Sequence, residues 1–307
     1  MPERISVVGS LNMDLVLRSP RIPQPGETII GREWHTIPGG KGANQAVAAA
    51  RAGGQVSMVG RVGGDTFALP LLENLADSGV DHSHVTRDPE AATGVALITV
   101  DDEGENTIVV ASGANMRLSP QDVEAAEEMI AASELLLLQL EIPLETVLCA
   151  AQLAQAHGVT VVLNPAPARQ LPAELFSLVD VLVPNETETT LLTGLLVGNL
   201  GELESAAGAL LDKGIGTVIL TLGAQGALLA DAKGCDLVPA FKVDPVDTTA
   251  AGDAFMGSFG VALAEGKTTT EAVLWGNAAG ALAAMKLGAQ TSLPGREEIM
   301  ALLAVGL

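Results

Sequence analysis

The sequence predicts an α/β protein with a doubly wound, mostly parallel sheet flanked by helices, and two observations support this prediction. From about residue 40 onward, short apolar runs alternate with Ala- and Leu-rich segments of helical periodicity, which is the pattern of repeated βα units. Most apolar runs also end where a polar or glycine-containing motif begins. Ligands bind outside the carboxyl ends of the strands in such folds.

The strand candidates are short, apolar and spread over the whole chain. They are residues 5–9, 55–60, 135–140, 160–164, 179–183 and 217–222. Polar residues or glycine follow five of them, at Asn12, Glu141, Asn164, Asn185 and Gly223. Because parallel strands end at one edge of the sheet, we expect these residues to lie near a common ligand site.

Two segments do not follow the βα rhythm. Residues 12–38 are extended and interrupted by Pro and Gly, and residues 92–111 contain two β-rich runs around the turn-like residues 101–106, which predicts a hairpin. We therefore expect a small separate β-sheet, a lid formed from approximately these two segments. No repeat or linker interrupts the rest, so residues 1–307 are predicted to form a single domain.

Composition restricts the possible partners. Hydrophobic residues make up 48% of the chain, yet no run approaches the roughly 18 apolar residues of a membrane span. The net charge of −21 repels polyanions, so neither nucleic acid nor an anionic membrane is an expected partner. The short apolar run after Glu3 and Arg4 leaves no room for a signal-peptide core, and a cytoplasmic location is expected.

The cysteines and histidines give no metal signature. Cys149 and Cys235 are far apart and have no partner at metal-ligand spacing, so both are expected to be buried structural thiols. His82 and His84 form a His-x-His pair that we place on a turn, and no metal site is expected there.

Residues 247–255 form the motif richest in chemistry. The small residues from Ala250 to Gly252 permit close approach of the main chain to a ligand, and the Ala-rich segment after Asp253 is predicted to be a helix. The first amides of that helix would point at an anion. Asp253 would be placed to accept a hydroxyl proton during phosphoryl transfer. An isolated Gly-Asp pair is more often a helix cap, but the whole string favours catalysis.

Two motifs near the amino terminus are suited to binding a small polar ligand. Asn12 and Asp14 project from the same face of an extended segment and match the vicinal hydroxyls of a sugar, although an Asx turn is the local alternative. Glycines around Lys41 allow close approach of the backbone before a helix that opens at Asn44. A Walker A loop is excluded, because His35 occupies its first glycine position.

The segment of residues 184–188 follows an apolar strand and precedes a Leu-rich helix. Asn185 and Glu188 provide oxygen atoms of the kind that Mg²⁺ prefers. The same residues also have the spacing of a capping box, and both interpretations can hold together.

Six motifs in order resemble those of the ribokinase-like, or pfkB, family of sugar kinases. They are residues 9–14, 39–45, 139–141, 184–188, 221–223 and 247–253. The resemblance extends over nearly the whole chain and implies phosphorylation of D-ribose by ATP, giving D-ribose 5-phosphate. Deoxyribose, fructose or a nucleoside such as adenosine is the alternative substrate. A sugar-binding protein without activity is the alternative of another class, which the intact Gly252 and Asp253 argue against.

The resemblance also implies roles for individual residues. The substrate would be bound by Asn12, Met13, Asp14, Gly40, Lys41, Gly42, Ala43, Asn44, Glu141 and Asp253. Asp253 would be the base, while Ala250, Ala251, Gly252 and Lys41 would hold the transferred phosphoryl group. ATP would contact Asn185, Thr221, Leu222, Gly223, Ala224, Gln225, Gly226, Gly252, Asp253 and Asn277. For Asn277 alone, an exposed and satisfied amide is the simpler interpretation.

Cations and a second subunit are implied in the same way. Mg²⁺ would be organised by Asn185 and Glu188. An activating K⁺ would be bound by Asp247, Thr249, Ala283, Lys286, Gly288 and Ser292. The lid would cover the sugar and form a homodimer surface. The chain departs from the family at Gly64, where an acid is common, and at Ala68, where glycine is common.

Overall fold

The computed structural model describes residues 3–306, which contain thirteen β-strands and eleven α-helices. The strands are β1 (Arg4–Val8), β2 (Asn12–Arg18), β3 (Trp34–Gly39), β4 (Gln55–Gly63), β5 (Val80–Asp88), β6 (Gly94–Val100), β7 (Asn106–Ala111), β8 (Leu135–Leu138), β9 (Thr160–Leu163), β10 (Val181–Leu182), β11 (Thr217–Thr221), β12 (Ala227–Asp231) and β13 (Gly234–Val238). The helices are α1 (Lys41–Arg51), α2 (Ala68–Asp77), α3 (Pro120–Glu124), α4 (Glu127–Ala131), α5 (Leu144–Ala156), α6 (Ala173–Phe176), α7 (Glu186–Thr193), α8 (Leu200–Leu211), α9 (Ala251–Ala264), α10 (Thr269–Ala284) and α11 (Arg296–Val305).

The large sheet has nine strands in the order β13-β12-β11-β10-β9-β8-β1-β4-β5. From β5 to β11 all neighbours are parallel, and β12 and β13 add an antiparallel edge. The predicted fold class, a mostly parallel doubly wound sheet, is confirmed. Each of the six predicted strands is present, although the predicted run 179–183 is reduced to Val181–Leu182.

The sequence analysis missed three strands of this sheet, β5, β12 and β13. His82 and His84 lie on β5, so their placement on a turn is wrong. Cys235 lies on the edge strand β13 and is exposed, while Cys149 is only half-buried. The expectation of two buried thiols is therefore wrong. Cys235 is exposed because β13 has a neighbour on one side only.

A separate four-stranded sheet has the order β3-β2-β6-β7. Strand β2 is antiparallel to β3 and parallel to β6, and β6 and β7 form the predicted hairpin. The predicted small sheet is therefore present. Its function as a lid over a ligand stays a prediction.

The large sheet is covered on both faces by apolar side chains. On β8, Leu135 and Leu137 face the layer that contains α1, α9 and α10, whereas Leu136 and Leu138 face the layer that contains α5 and α8. Full burial of each leucine stabilises the fold by about 1.5–3 kcal/mol. Because helices cover both faces, a ligand can approach the sheet only at its edges and strand ends. No helix within residues 3–306 is long and apolar enough to cross a membrane.

Candidate active site

Asp253 lies in the first turn of α9 and is only 5% exposed. Its Oδ2 accepts a hydrogen bond from Asn44 Nδ2 at 2.9 Å, and its Oδ1 accepts one from Gln45 Nε2 at 3.0 Å. The close packing of α1 on α9 depends on Gly257, where a Cβ would lie 2.6 Å from the Ala48 Cβ. The glycine therefore brings both amide side chains within reach of the carboxylate.

The residues before Asp253 leave two amides without a backbone acceptor. Ala250 precedes the helix in the left-handed conformation, with φ of 58°, which an L-residue adopts at a cost of about 1–2 kcal/mol. The Ala251 amide donates to Thr248 O, whereas no described backbone carbonyl accepts from Gly252 or Asp253. A Cβ on Gly252 would meet nothing within 4 Å. These two amides and the helix dipole make a site that fits an anion.

Asn12, Met13 and Asp14 lie on β2, with Asn12 and Asp14 on one face as predicted. The side chain of Asn115 orients the Asn12 amide. Asn115 Oδ1 accepts from Leu11 N at 2.9 Å, and Asn115 Nδ2 donates to Asn12 Oδ1 at 2.7 Å. Asn12 Nδ2 therefore stays available to a ligand. The sequence analysis missed Asn115, which lies in a short 3₁₀ turn and carries no recognisable spacing.

The Asp14 carboxylate is buried against Gly39, where any Cβ would collide with it. Burial raises the pKa of Asp14 to about 7, and the nearby charges of Glu141 and Asp253 act in the same direction. The negative charges of Glu141 and Asp253 therefore act on the buried carboxyl group of Asp14. A ligand that donates hydroxyl hydrogens would stabilise such an arrangement.

Glu141 follows β8 and connects two other motifs. Its Oε2 accepts from Ser10 Oγ at 2.5 Å and from Lys41 N at 3.1 Å. A Cβ on Gly40 would lie 2.6 Å from Asn12 N, and one on Gly42 would lie 2.5 Å from Ser10 N. These glycines therefore permit contact with the protein's own backbone.

The helix α1 begins at Lys41. The expectation that it opens at Asn44 is wrong, because Gly40, with φ of 89°, already ends the extended segment. Asn44 and the buried Ala43 thus lie inside the first turn. The charge of Asp253 raises the pKa of Lys41, against the effect of burial, and Glu141 and Glu188 contribute in the same direction as Asp253.

A cavity of roughly 240 Å³ opens on one side of Asp253 and Lys41. It is lined by Asn164, Asn185, Glu188, Thr221, Thr248, Ala250, Gly252 and neighbouring apolar residues. The residues Asn12, Asp14 and Glu141 do not line it. Asp253 and Lys41 consequently lie at the boundary between this cavity and the carboxyl groups of Asp14 and Glu141.

Asn185 and Glu188 form the predicted capping box at the start of α7. Asn185 N donates to Glu188 Oε2, and Glu188 N donates to Asn185 Oδ1, both at 2.8 Å. Burial raises the pKa of Glu188, against the hydrogen bond from Asn185 and the charge of Lys41. No cluster of three metal-binding side chains occurs in residues 3–306. A divalent ion would thus need phosphate oxygens and water beside Glu188, as Mg²⁺ commonly uses.

The other positions assigned to the nucleotide, residues 221–226 and Asn277, lie at the end of β11 and beside Val238. Residues Gly223–Gln225 form an exposed turn after Thr221 and the buried Leu222. Asn277 is only 7% exposed, and its Nδ2 donates to Val238 O at 3.2 Å and Pro239 O at 3.1 Å. The simpler interpretation of Asn277 as an exposed amide is therefore wrong. Gly226 lies against the same Val238 carbonyl, which leaves no space for a side chain there.

Asp247 connects the two segments assigned to K⁺. Burial opposes ionisation, yet hydrogen bonds from Thr249 N and Gly288 N, both at 2.9 Å, keep the pKa of Asp247 below its usual value. The side chain of Lys286 pairs with Glu298 at 2.8 Å, so only its carbonyl could face an ion. Ala283 and Ser292 are buried in the second segment, and the Ser292 hydroxyl donates to Ala289 O.

The two departures from the family pattern lie outside this site. A Cβ on Gly64 would approach Pro89 Cα to 2.9 Å, so a side chain requires a backbone shift. Ala68 is buried at the start of α2. Asp65, between them, instead accepts from Thr93 N at 2.7 Å and connects α2 to β6.

The chain matches the model of the pfkB family carbohydrate kinases over residues 2–296. It is 45% identical to a ribokinase from Haemophilus influenzae over 303 residues, which cover 99% of both chains. It is 43% identical to a deoxyribokinase from Salmonella typhi over 256 residues, which cover 83% of this chain and 84% of the relative.

Among solved structures, the fold is similar to a ribokinase from Arabidopsis thaliana complexed with ribose and ATP. The TM-score is 0.92, the sequence identity is 33%, and the match covers 99% of both chains. The family match, the full-length relatives and the shared architecture agree with one another. The chain belongs to the pfkB family of carbohydrate kinases.

Proposed function

We propose that this protein transfers the γ-phosphoryl group of ATP to the primary 5-hydroxyl of D-ribose, giving D-ribose 5-phosphate and ADP. The observation that carries the proposal is the position of Asp253. Its buried carboxylate lies between a set of convergent polar side chains and a cavity with two free helix amides. A base at the boundary between two sites is suited to accept the proton of the attacking hydroxyl.

The sugar would lie against Asn12, Asp14, Asn44 and Glu141, which we call the sugar half of the site. Asn44 Oδ1 is buried and has no donor within the described residues, so a sugar hydroxyl would satisfy it. Asn12 offers a free amide hydrogen, and Asp14 and Glu141 offer carboxylate oxygens. This mixture of donors and acceptors suits a small polyhydroxylated ligand.

The phosphates would lie at residues 250–253, where the amides of Gly252 and Asp253 act as donors. Lys41 would offset the charge of the transferred group. Residues 221–226, 247–252 and 283–292, which we call the nucleotide half, would hold ATP and cations. Adenine contacts would be mostly aliphatic, because aromatic residues are only 2% of the chain.

Two cations belong to the proposal. Asn185 and Glu188 would hold Mg²⁺ beside the phosphates, where the ion would neutralise charge on the transferred phosphoryl group. K⁺ would bind mostly to carbonyl oxygens of residues 247–249 and 283–292. Asp247 already ties these two segments together, which places both beside the anion site.

We also propose a cytoplasmic homodimer. The strand register places Leu17, Trp34, Leu97 and Val109 on the face of the small sheet opposite to Asp14. All four are exposed, Trp34 by 64% and Val109 by 66%. An apolar surface of this kind suits a second copy of the chain.

An ADP-release assay with Mg²⁺ and K⁺ tests the proposal across D-ribose, 2-deoxyribose, fructose and adenosine. We expect the highest kcat/KM with ribose. The Salmonella relative makes 2-deoxyribose the second candidate, and a higher kcat/KM with that sugar would replace ribose in the proposal. Absence of sugar-dependent ADP release would contradict the kinase assignment for this chain.

A further inference from the structure

Two buried glutamines form a chain of hydrogen bonds that ends on Asp253. Gln139 Nε2 donates to Gln45 Oε1 at 2.6 Å, and Gln45 Nε2 donates to Asp253 Oδ1 at 3.0 Å. Gln139 directly follows β8 and Gln45 lies in α1, and both are 0% exposed. The reaction scheme proposed above assigns no task to either side chain.

The direction of this chain is fixed by its end. An ionised carboxylate can only accept hydrogen bonds, so Gln45 must present its Nε2 to Asp253 and its Oε1 to Gln139. Gln139 must then present its Nε2 to Gln45. Its own Oε1 is left buried and without a donor in the described residues, packed against Gly9, where a Cβ would collide with it.

A buried acceptor without a donor is unfavourable. The fold nevertheless retains it, with a glycine beside it to make room. If Gln139 turned over, its Oε1 would face Gln45 Oε1, and two acceptors would oppose each other without a hydrogen between them. The unfavourable orientation of Gln139 therefore preserves the favourable orientation of Gln45.

We propose that Gln139 and Gln45 are positioning residues that aim the Asp253 carboxylate at the hydroxyl of the substrate. This inference rests on the proposed function of Asp253 as the base. Gln45 and Asn44 each hold one oxygen of the carboxylate, which fixes its plane. Asp14, Glu141 and Glu188 supply negative charge around it, and Lys41 supplies positive charge. Hydrogen bonds from two neutral amides thus orient the base among these charges.

The test compares Gln45→Met and Gln139→Met, which keep side-chain length and remove the donor. We expect kcat to fall by roughly 10–100-fold in Gln45→Met and roughly 3–10-fold in Gln139→Met, with the KM values for ribose and ATP within about twofold of wild type. A loss of kcat per active site with unchanged KM values is the readout, because a purely structural role would lower the amount of active protein instead.

Thr146→Val is the matched control. The Thr146 hydroxyl is equally buried and donates to Leu118 O at 2.7 Å, away from Asp253. This variant should lose thermal stability and keep the kcat and KM values of wild type. If Gln45→Met does not fold, Gln139→Met carries the test, because it leaves the direct partners of Asp253 in place.

Wild-type kcat in a folded Gln139→Met variant would overturn the inference. A loss of active protein in proportion to thermal stability, with unchanged kcat per active site, would also overturn it. If wild type phosphorylates another sugar better than ribose, the proposed substrate is wrong, and the same variants decide the inference with that sugar.

Discussion

The sugar half and the nucleotide half of the proposed site are constructed from different chemical groups. In the sugar half, the side chains of Asn12, Asp14 and Asn44 are buried, and Asn12 is already held by Asn115. In the nucleotide half, the turn Gly223–Gln225 and Gly252 are exposed, and the available donors are backbone amides. The sugar half is therefore largely preorganised, whereas the nucleotide half needs ligand and cations to complete it.

This difference predicts different responses to mutation. Removing a side chain from the sugar half leaves buried partners without hydrogen bonds, which has a large and substrate-specific effect. The nucleotide half offers mainly backbone groups to its ligand. Its contribution to activity should therefore depend on which cations are present to organise that backbone. Asp253 lies between the two halves and should show the largest effect.

Asp253→Asn should reduce kcat by roughly 10²–10⁴-fold, because the amide is nearly isosteric and cannot accept the hydroxyl proton usefully. Binding of ribose, measured by calorimetry without nucleotide, should change little. A variant that retains more than half of the wild-type kcat would remove Asp253 from the role of base.

Asp14→Ala should lower kcat/KM for ribose by a factor that corresponds to about 2–4 kcal/mol of lost transition-state stabilisation. The reason is that the sugar hydroxyls and the buried groups around them lose an acceptor. The KM for ATP should stay near its wild-type value, because Asp14 does not line the cavity beside Gly252. The measurement compares the change in the KM for ribose with the change in the KM for ATP. Unaltered ribose affinity would show that the sugar half is assigned wrongly.

Most of the fold was predictable from the sequence, because alternating strands and helices leave a strong periodic signal. The edge strand β13 was missed, since an exposed strand such as Gly234–Val238 carries no apolar run. The two-residue strand Val181–Leu182 was predicted too long. The flanking Val179 and Val183 are also apolar and buried, but they are not part of the strand.

The candidate site was predictable only where a residue belongs to a motif. Asp253 and Glu141 could be named from their motifs. Gln45 and Gln139 lie in the motifs 39–45 and 139–141, but the sequence analysis assigned them no role. Asn115 could not be named, because its contact with Asn12 spans 103 residues of sequence. The hydrogen-bonded role of Asp247 was hidden for the same reason, as its partner Gly288 lies 41 residues away.

The nucleotide half should respond to the monovalent cation. Activity in K⁺ should exceed activity in Na⁺ by roughly tenfold, about 1.4 kcal/mol, because widely spaced carbonyls fit the larger ion. Asp247→Ala removes the link to Thr249 and Gly288 and should erase most of this difference. Rates are compared at matched ionic strength. Equal rates in K⁺, Na⁺ and a bulky organic cation would leave Asp247 as a structural residue alone.

The smallest expected effect is the pH dependence of the sugar half, and it follows from Asp14. In the free protein, burial raises the pKa of Asp14 from 3.8 to about 7, with help from Glu141 and Asp253. The ionised form is thus disfavoured in the folded state, so the free protein should lose stability as pH rises from about 4 through 7. Hydroxyl hydrogens of bound ribose would stabilise the ionised form.

Protonation of Asp14 and binding of ribose therefore compete. With a pKa near 7, the ionised fraction rises about fourfold between pH 6.5 and 8, and ribose affinity should rise by the same factor. Calorimetry without nucleotide measures the ribose affinity at each pH. Asp14→Asn, which cannot titrate, should bind ribose more weakly and with an affinity that does not change with pH. An affinity that falls with pH, or an equal slope in Asp14→Asn, would mean that the sugar does not bind against an ionised Asp14 and that the sugar half is not preorganised around this carboxylate.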